Sequence, residues 1–354
     1  MLQELGSSEA RQKISDYLWS RVDDKKEKNI LGFGFGVGLK DWAIDIERPF
    51  CIRAYVKRKK KKGDRWRVKW NFKDEISIPM ELIPDGIDSI GRKVKGMMLT
   101  MPTDVTEVGD LEGTAQEVQL DGDPSIVTSG TVIRWKVSGE HSHRWGILTV
   151  THGFDDPVER TAVEDITIHN PTTGRSFRGR RRDELRATDL DSAIDLTLIE
   201  VEKQILVNSG LIKANGNTSI AVRRYSKLTG DGGQAGTVFQ ANGRTFGFHI
   251  VGTLSLATFN NVGTVVSLLH VIGPPQTFVK GTSGSPFAVI DNPTGALEPA
   301  GIQIGADFCP KLEFSHGYAQ SLDVSLGNLT LKMNRRLLRT GRSLETNLEV
   351  IRLF

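Results

Sequence analysis

From about residue 111 to residue 330 the chain is a succession of short runs rich in β-branched and aromatic residues, each ended by Gly, Asn, Asp or Pro. The runs include "IVTSGTVIRWKV", "RWGILTVTH", "VEDITIHNPTTG", "IDLTLIEV", "AGTVFQANGRTFGFHI", "VGTVVSLLHVI", "SPFAVI" and "AGIQIGA". Many short strands separated by turn residues predict an all-β sandwich or a pair of barrels, because no helical period alternates with them as a parallel βαβ sheet requires. With 354 residues, of which 38% are hydrophobic, the chain is long enough for two or three compact units around a large core.

The first 110 residues have a different texture. "SSEARQKISDYLWSRVDD" predicts an amphipathic surface helix over about residues 7–24. "NILGFGFGVGL" places glycine at every second position from Gly32 to Gly38, and neither register completes G-x-G-x-x-G, since Val37 and Leu39 stand where the third glycine belongs. An extended strand relieved by glycine is the reading, and a phosphate loop is not. "CIRAYV" at 51–56 is a second strand, followed by the basic run 57–62 and by Trp66 and Trp70. The tail 331–354 is expected to be helical. The chain thus divides into an N-terminal α+β accessory unit (1–110), a β unit (111–330) and a helical tail (331–354).

Charge and composition exclude several classes. The formal net charge is only +3, so no global field calls for nucleic acid, and no apolar run approaches the roughly 20 residues that cross a bilayer. The N-terminus has no apolar secretion-signal core, and two cysteines, Cys51 and Cys309, make no disulfide framework. A reducing cytoplasm is the expected compartment. No cofactor or metal is expected: the His-x-His of His141 and His143 lacks a third ligand in view.

Three segments carry residues suited to chemistry. "FVKGTSGSPF" holds Ser283 between a Gly-Thr step and a Gly-Ser-Pro step, which by itself reads more simply as a tight turn. "WGILTVTHGF" ends a buried-looking strand at His152 beside Gly153, and imidazole is the side chain that exchanges a proton near neutral pH. His169, His249, His270 and His316 stand in or beside strand-like runs and read as ordinary packed residues. In "DLDSAIDLTLIEV", Asp189 and Asp191 belong to a polar turn, whereas Asp195 is embedded among Ile194, Leu196, Leu198, Ile199 and Val201. A carboxylate so placed needs a donor, because an unpaired buried charge costs several kcal/mol, roughly.

"LTVTHGF", "DLTLIEV" and "GTSGSP", in that order and 43 and 88 residues apart, resemble the three landmark blocks of the chymotrypsin-like serine peptidases. "YSKLTGDGGQAGTV" is similar to a hairpin of bacterial members, with Leu228 where glycine is usual, and "MPTDVTEVGD" resembles a segment preceding the peptidase domain of some intracellular members. The resemblance covers about residues 111–330. It implies a mainly-β fold of two six-stranded antiparallel β-barrels, here preceded by a small α+β domain, with the site in the cleft between them. It implies His152 as general base and acid, Asp195 as its orienting partner and Ser283 as nucleophile. The backbone amides of Gly281 and Ser283 would form the oxyanion hole. It aligns Thr277 with the floor of the primary pocket, Ile304-Gly305-Ala306 with one wall and Gly317 with the other. Thr277 is not acidic, so a small or medium uncharged residue is expected before the cut, with His316 leaving an acidic preference open.

Two departures follow from the sequence. Thr282 stands where the family usually has aspartate, so activation by a freshly cut N-terminus is not expected, and other contacts must hold the oxyanion loop. The family's extracellular disulfides are absent. The expected partner is a protein or peptide substrate, including the case of one dedicated partner protein. The rival readings are a partner-gated or non-cleaving binding module, and a nucleic-acid binder using basic stretches 57–70 and 174–182, each of which reads more simply as a solvated hairpin tip.

Overall fold

The computed structural model describes residues 8–22, 29–40, 43–45, 50–58, 75–83, 96–108, 111–113, 131–154, 164–170, 175–187, 193–225, 234–239, 244–279, 281–291, 293–307 and 315–352. The N-terminal part opens with helix α1 (Ser8–Trp19). Ala10, Ile14 and Leu18 fall four residues apart on one helical face and are fully buried. Seven strands follow: β1 (Ile30–Gly36), β2 (Gly38–Lys40), β3 (Ala43–Asp45), β4 (Cys51–Val56), β5 (Glu75–Pro79), β6 (Met98–Glu107) and β7 (Leu111–Gly113). Phe33 and Phe35 pack with Ile14, Leu18, Ile52 and Ala54 in one cluster.

Five strands with one later addition make a six-stranded antiparallel sheet. They are β8 (Thr131–Trp135), β9 (Arg144–Thr149), β10 (Glu164–Asn170), β11 (Arg175–Leu185) and β12 (Leu196–Glu200), followed by the short helix α2 (Lys203–Asn208). The sheet order is β10-β11-β12-β9-β8, completed by β19 (Glu349–Arg352) from the far end of the chain. Segment 174–182, expected at a hairpin tip, lies largely within β11, paired on both sides by β10 and β12. The reason is alternation: Phe177 and Gly179 turn inward from a strand whose Arg178 and Arg180 remain exposed.

Six further strands form the second unit: β13 (Ala235–Phe239), β14 (Thr245–Phe259), β15 (Gly263–Gly273), β16 (Pro286–Ile290), β17 (Leu297–Asp307) and β18 (Ser315–Ser321). Their order is β13-β16-β17-β18-β15-β14, and β13 also pairs β14, so this unit closes on itself as an antiparallel barrel. The mainly-β architecture of two six-stranded antiparallel units with an α+β part ahead of them is the one observed.

The N-terminal strands continue the second barrel's sheet: β14 pairs β1, β1 pairs β4, β4 runs parallel to β6, and β6 pairs β5. This explains the alternating glycines. A Cβ at Gly34 or Gly36 would stand 2.2 Å from the carbonyl oxygen of Thr253 or Val251 on β14. Only hydrogen lets the two backbones approach so closely.

Helix α3 (Leu322–Leu338) buries Leu322, Leu326, Leu329, Met333 and Leu337 along one stripe. They join a core cluster that also takes Leu148 and Leu196 from the first sheet and Leu254 and Ile302 from the second barrel. The tail expected to be helical over 331–354 is helical only to Leu338, and its Glu349–Arg352 stretch instead pairs β8. Val350 and Ile351 are buried there, and an extended strand packs β-branched side chains better than a frayed helix end does.

Candidate active site

β9 and β12 pair antiparallel, with Thr149 opposite Thr197. The end of β9 therefore lies beside the start of β12, which brings His152 and Asp195 together across 43 residues of sequence. Asp195 Oδ1 accepts the backbone N–H of Thr151 at 2.9 Å and of His152 at 3.0 Å, and Oδ2 meets His152 Nδ1. The carboxylate that the apolar run left in need of donors has three. Its backbone is also fixed: Asp195 N–H donates to Gln320 Oε1 at 3.0 Å, and Gln320 Nε2 donates back to the Asp195 carbonyl at 2.7 Å. The His152 side chain is only 4% exposed.

Facing a carboxylate, Nδ1 holds the imidazole proton, which makes Nε2 an acceptor. Ser283 Oγ lies 3.0 Å from that Nε2 and 3.1 Å from the carbonyl oxygen of Ile304. One hydroxyl proton thus has two acceptors within reach. The serine sits between Gly281 (φ 89°) and Gly284 (φ 91°), both in the left-handed region that glycine alone enters cheaply. The Thr282 amide donates to the Val279 carbonyl at 3.2 Å, closing a turn with Gly281 at its third position, which is the type II pattern.

Thr282 shows how the loop is held without aspartate. Its hydroxyl donates to the Val279 carbonyl at 2.6 Å and accepts from Gln303 Nε2 at 2.8 Å. Gln303 also takes the Gly284 N–H on its own carbonyl at 2.8 Å and donates its N–H to Ser285 at 2.9 Å. Sequence reasoning missed both Gln303 and Gln320. For Gln303 the signal was present, since it is a lone polar residue in the apolar run "GIQIGA", the same cue that singled out Asp195, whereas Gln320 adjoins Ser321 in "GYAQS" and carries no such cue.

The residues aligned with the primary pocket are all buried. The Thr277 hydroxyl is turned to the Pro274 carbonyl at 2.8 Å, Ile304 and Ala306 are in the β17 interior, and Gly317 on β18 is opposite Ala306. Phe278, which the sequence did not flag, packs its ring against Gly317: a Cβ at 317 would lie 2.7 Å from it. His316 is 0% exposed, and its Nδ1 lies 2.8 Å from His270 Nε2. Burial, with the Arg53 cation as a second cause, lowers its pKa to about 4, so at neutral pH it is an uncharged core residue.

Behind His316 runs a buried polar chain. His270 Nδ1 lies 3.0 Å from Tyr55 Oη, and Arg53 donates to Tyr55 Oη at 3.4 Å, to the Val251 carbonyl at 3.2 Å, to Asp104 at 3.3 Å and to the Val37 carbonyl. Burial pushes the Tyr55 phenol up to about 12 and holds His270 well below its ordinary range. The N-terminal strands thus reach His316 through hydrogen bonds.

A cavity of about 980 Å³ lies away from these three side chains, lined by Arg134, Arg144, Arg178, Arg180, Lys203 and Glu200 among others. Arg144 begins β9 and Glu200 ends β12, so it is at the opposite end of the strand pair from His152 and Asp195. Among the described residues no group of three or more His, Cys, Asp or Glu could hold a metal, and no helix is long and apolar enough to cross a membrane. Asp189, Asp191, Cys309, Trp66, Trp70, Leu228 and most of the 57–70 stretch lie outside the described residues.

No protein-family model and no curated protein matches the sequence. Among solved structures the chain is similar to Thermobifida fusca Protease A, at 14% identity over 68% of this chain and 100% of that one, with a TM-score of 0.32. It is similar to Cellulomonas bogoriensis chymotrypsin at 14% identity over 69% and 99%, with a TM-score of 0.30. It is also similar to kallikrein-related peptidase 10 at 9% identity over 57% and 94%, with a TM-score of 0.32.

Proposed function

We propose that the chain is a serine endopeptidase acting through an acyl-enzyme. The observation that carries this reading is the single line of hydrogen-bonding reach from Asp195 through His152 to Ser283, with 3.0 Å between Nε2 and Oγ. In the proposed reaction Ser283 Oγ attacks the peptide carbonyl while its proton passes to His152 Nε2. Asp195 keeps the other ring proton in place and stabilises the imidazolium that forms. The amides of Gly281 and Ser283 receive the oxyanion, a contact typically worth about 3 kcal/mol each. His152 then gives its proton to the leaving amine, and a water deprotonated by the same nitrogen releases the acyl group. With Thr277, Ile304, Gly305, Ala306 and Gly317 around the pocket and Phe278 against Gly317, the residue accepted before the cut is small and uncharged.

A fluorophosphonate probe tests the assignment. Labelling of the wild-type protein that disappears in Ser283→Ala is the expected result, and labelling that persists in the variant removes Ser283 from the mechanism. A peptide library tests the pocket, for which strong preference for Arg or Lys is the contrary result.

The cation-lined cavity favours a second reading, in which the first sheet binds a polyanion. Salt-dependent binding of a single-stranded oligonucleotide that survives Ser283→Ala and is lost in Arg178→Ala/Arg180→Ala is the outcome this reading requires.

A further inference from the structure

β17 has two edges near the candidate nucleophile. One is filled by β18, with Gly305 opposite Tyr318, Ala306 opposite Gly317 and Asp307 opposite His316. The other is covered by β16 only as far as the pair Pro286–Ile302. Past that point, beside the Ser283 loop, β16 no longer covers the edge at Gly305–Asp307. That edge begins one residue beyond Ile304, whose carbonyl lies 3.1 Å from Ser283 Oγ. A peptide that brings a carbonyl carbon to Ser283 and adds to this sheet must run along it, since strand addition at a free edge is how extended peptides gain their main-chain hydrogen bonds.

The chain's own β7 already lies there. Leu111–Gly113 pairs antiparallel with Asp307, Ala306 and Gly305 in turn. Because β17 runs away from Ser283 between Ile304 and Asp307, the antiparallel β7 runs toward it, with Gly113 nearest. That is the polarity of a substrate segment upstream of its scissile bond. The strand is anchored at its far end: Leu111 is 1% exposed within the core shared by both six-stranded units, and its carbonyl accepts the Asn260 N–H at 2.9 Å.

On the endopeptidase reading, we propose that Leu111–Gly113 is a tethered occupant of the substrate edge, which must leave β17 before a protein substrate can bind. The occupant is part of the same chain, so it competes at an effective concentration in the millimolar range, roughly, and a free peptide of similar strength is excluded. Three paired residues make a short ladder, and Leu111 anchors its far end, so a partner that displaces Leu111 would free the edge.

The test is made in the Ser283→Ala protein, where no turnover intrudes. A fluorescent peptide of this chain's residues 106–113 is titrated into Ser283→Ala and into the same protein carrying Glu112→Pro, which removes a ladder amide and fixes φ. At least tenfold tighter binding to the Glu112→Pro protein is expected. Leu111→Ala, which weakens the strand from its buried end, gives a second variant with the same expectation should the proline disturb folding, judged by a cooperative melt. Equal affinity for the parent and both variants, or binding to none, overturns the proposal. Fluorophosphonate labelling of the Ser283-containing Glu112→Pro protein is read alongside: its absence there and in wild type refutes the endopeptidase reading, whereas the peptide titration alone decides whether β7 occupies the edge.

Discussion

His152 and the His270–His316 pair are both buried, yet they live under opposite regimes. His152 has a carboxylate on one ring nitrogen and a hydroxyl on the other. His270 and His316 have each other, a phenol and the nearby cation of Arg53, and His316 is lowered to about 4. Burial alone therefore does not set what an imidazole can do; the charge of its partner does. A base that must hold a proton for part of a cycle needs a counter-ion, and without one the ring is a neutral spacer with a defined hydrogen-bond direction.

The largest contrast is expected in turnover. Ser283→Ala or His152→Ala should lower kcat by on the order of 10⁶-fold, whereas His316→Asn should retain measurable peptide cleavage. Comparable losses for His152 and His316 variants in a stopped assay would erase the distinction. Asp195→Asn keeps the shape but removes the counter-charge, and a loss of about 10⁴-fold is expected. Next comes stability: Arg53→Met removes the cation that pairs with the buried Asp104 carboxylate, costing roughly 3–5 kcal/mol in chemical denaturation. The same change removes a cause of the low His316 pKa, so NMR titration should show it rising toward 6.5. Gln303→Leu leaves the Thr282 hydroxyl without its donor and costs about 1–3 kcal/mol, with kcat falling more than KM rises if the nucleophile loop shifts. The smallest effect is pH dependence. The unfolded chain protonates its histidines near 6.5, while the native state holds His316 neutral down to about 4. The unfolded state therefore binds the extra proton, and stability should fall as pH drops between those values. A melting midpoint that stays level over this window in wild type, or changes identically in a His270→Gln/His316→Asn protein, would contradict it.

Much of this was legible in the sequence for a definable reason. Asp195 in an apolar run violates a local preference, and His152 at a strand end and Ser283 between glycines stand at marked positions, so each can be read one residue at a time. The strand content of 111–330 followed from turn chemistry. What stayed hidden depends on which strands meet. The glycines of "GFGFG" marked a close approach but not that β14 makes it, joining the N-terminal part to the second barrel's sheet. Nothing in "CIRAYV" marks Arg53 as buried; its partners arrive from Val37, Asp104 and Val251. Phe278 beside Gly317 and β7 on β17 likewise pair residues 39 and nearly 200 positions apart, beyond any local pattern.

The placement of β19 sets an order on how the molecule is made. Four residues near position 350 supply a strand to a sheet whose other members span 131–200. As the chain leaves the ribosome, the second barrel has all of its strands before that last one emerges. The sheet bearing His152 and Asp195 must wait for it, with β8 an unprotected edge in the interval. Newly made chains would therefore complete the half of the molecule bearing Ser283 before the half bearing His152 and Asp195.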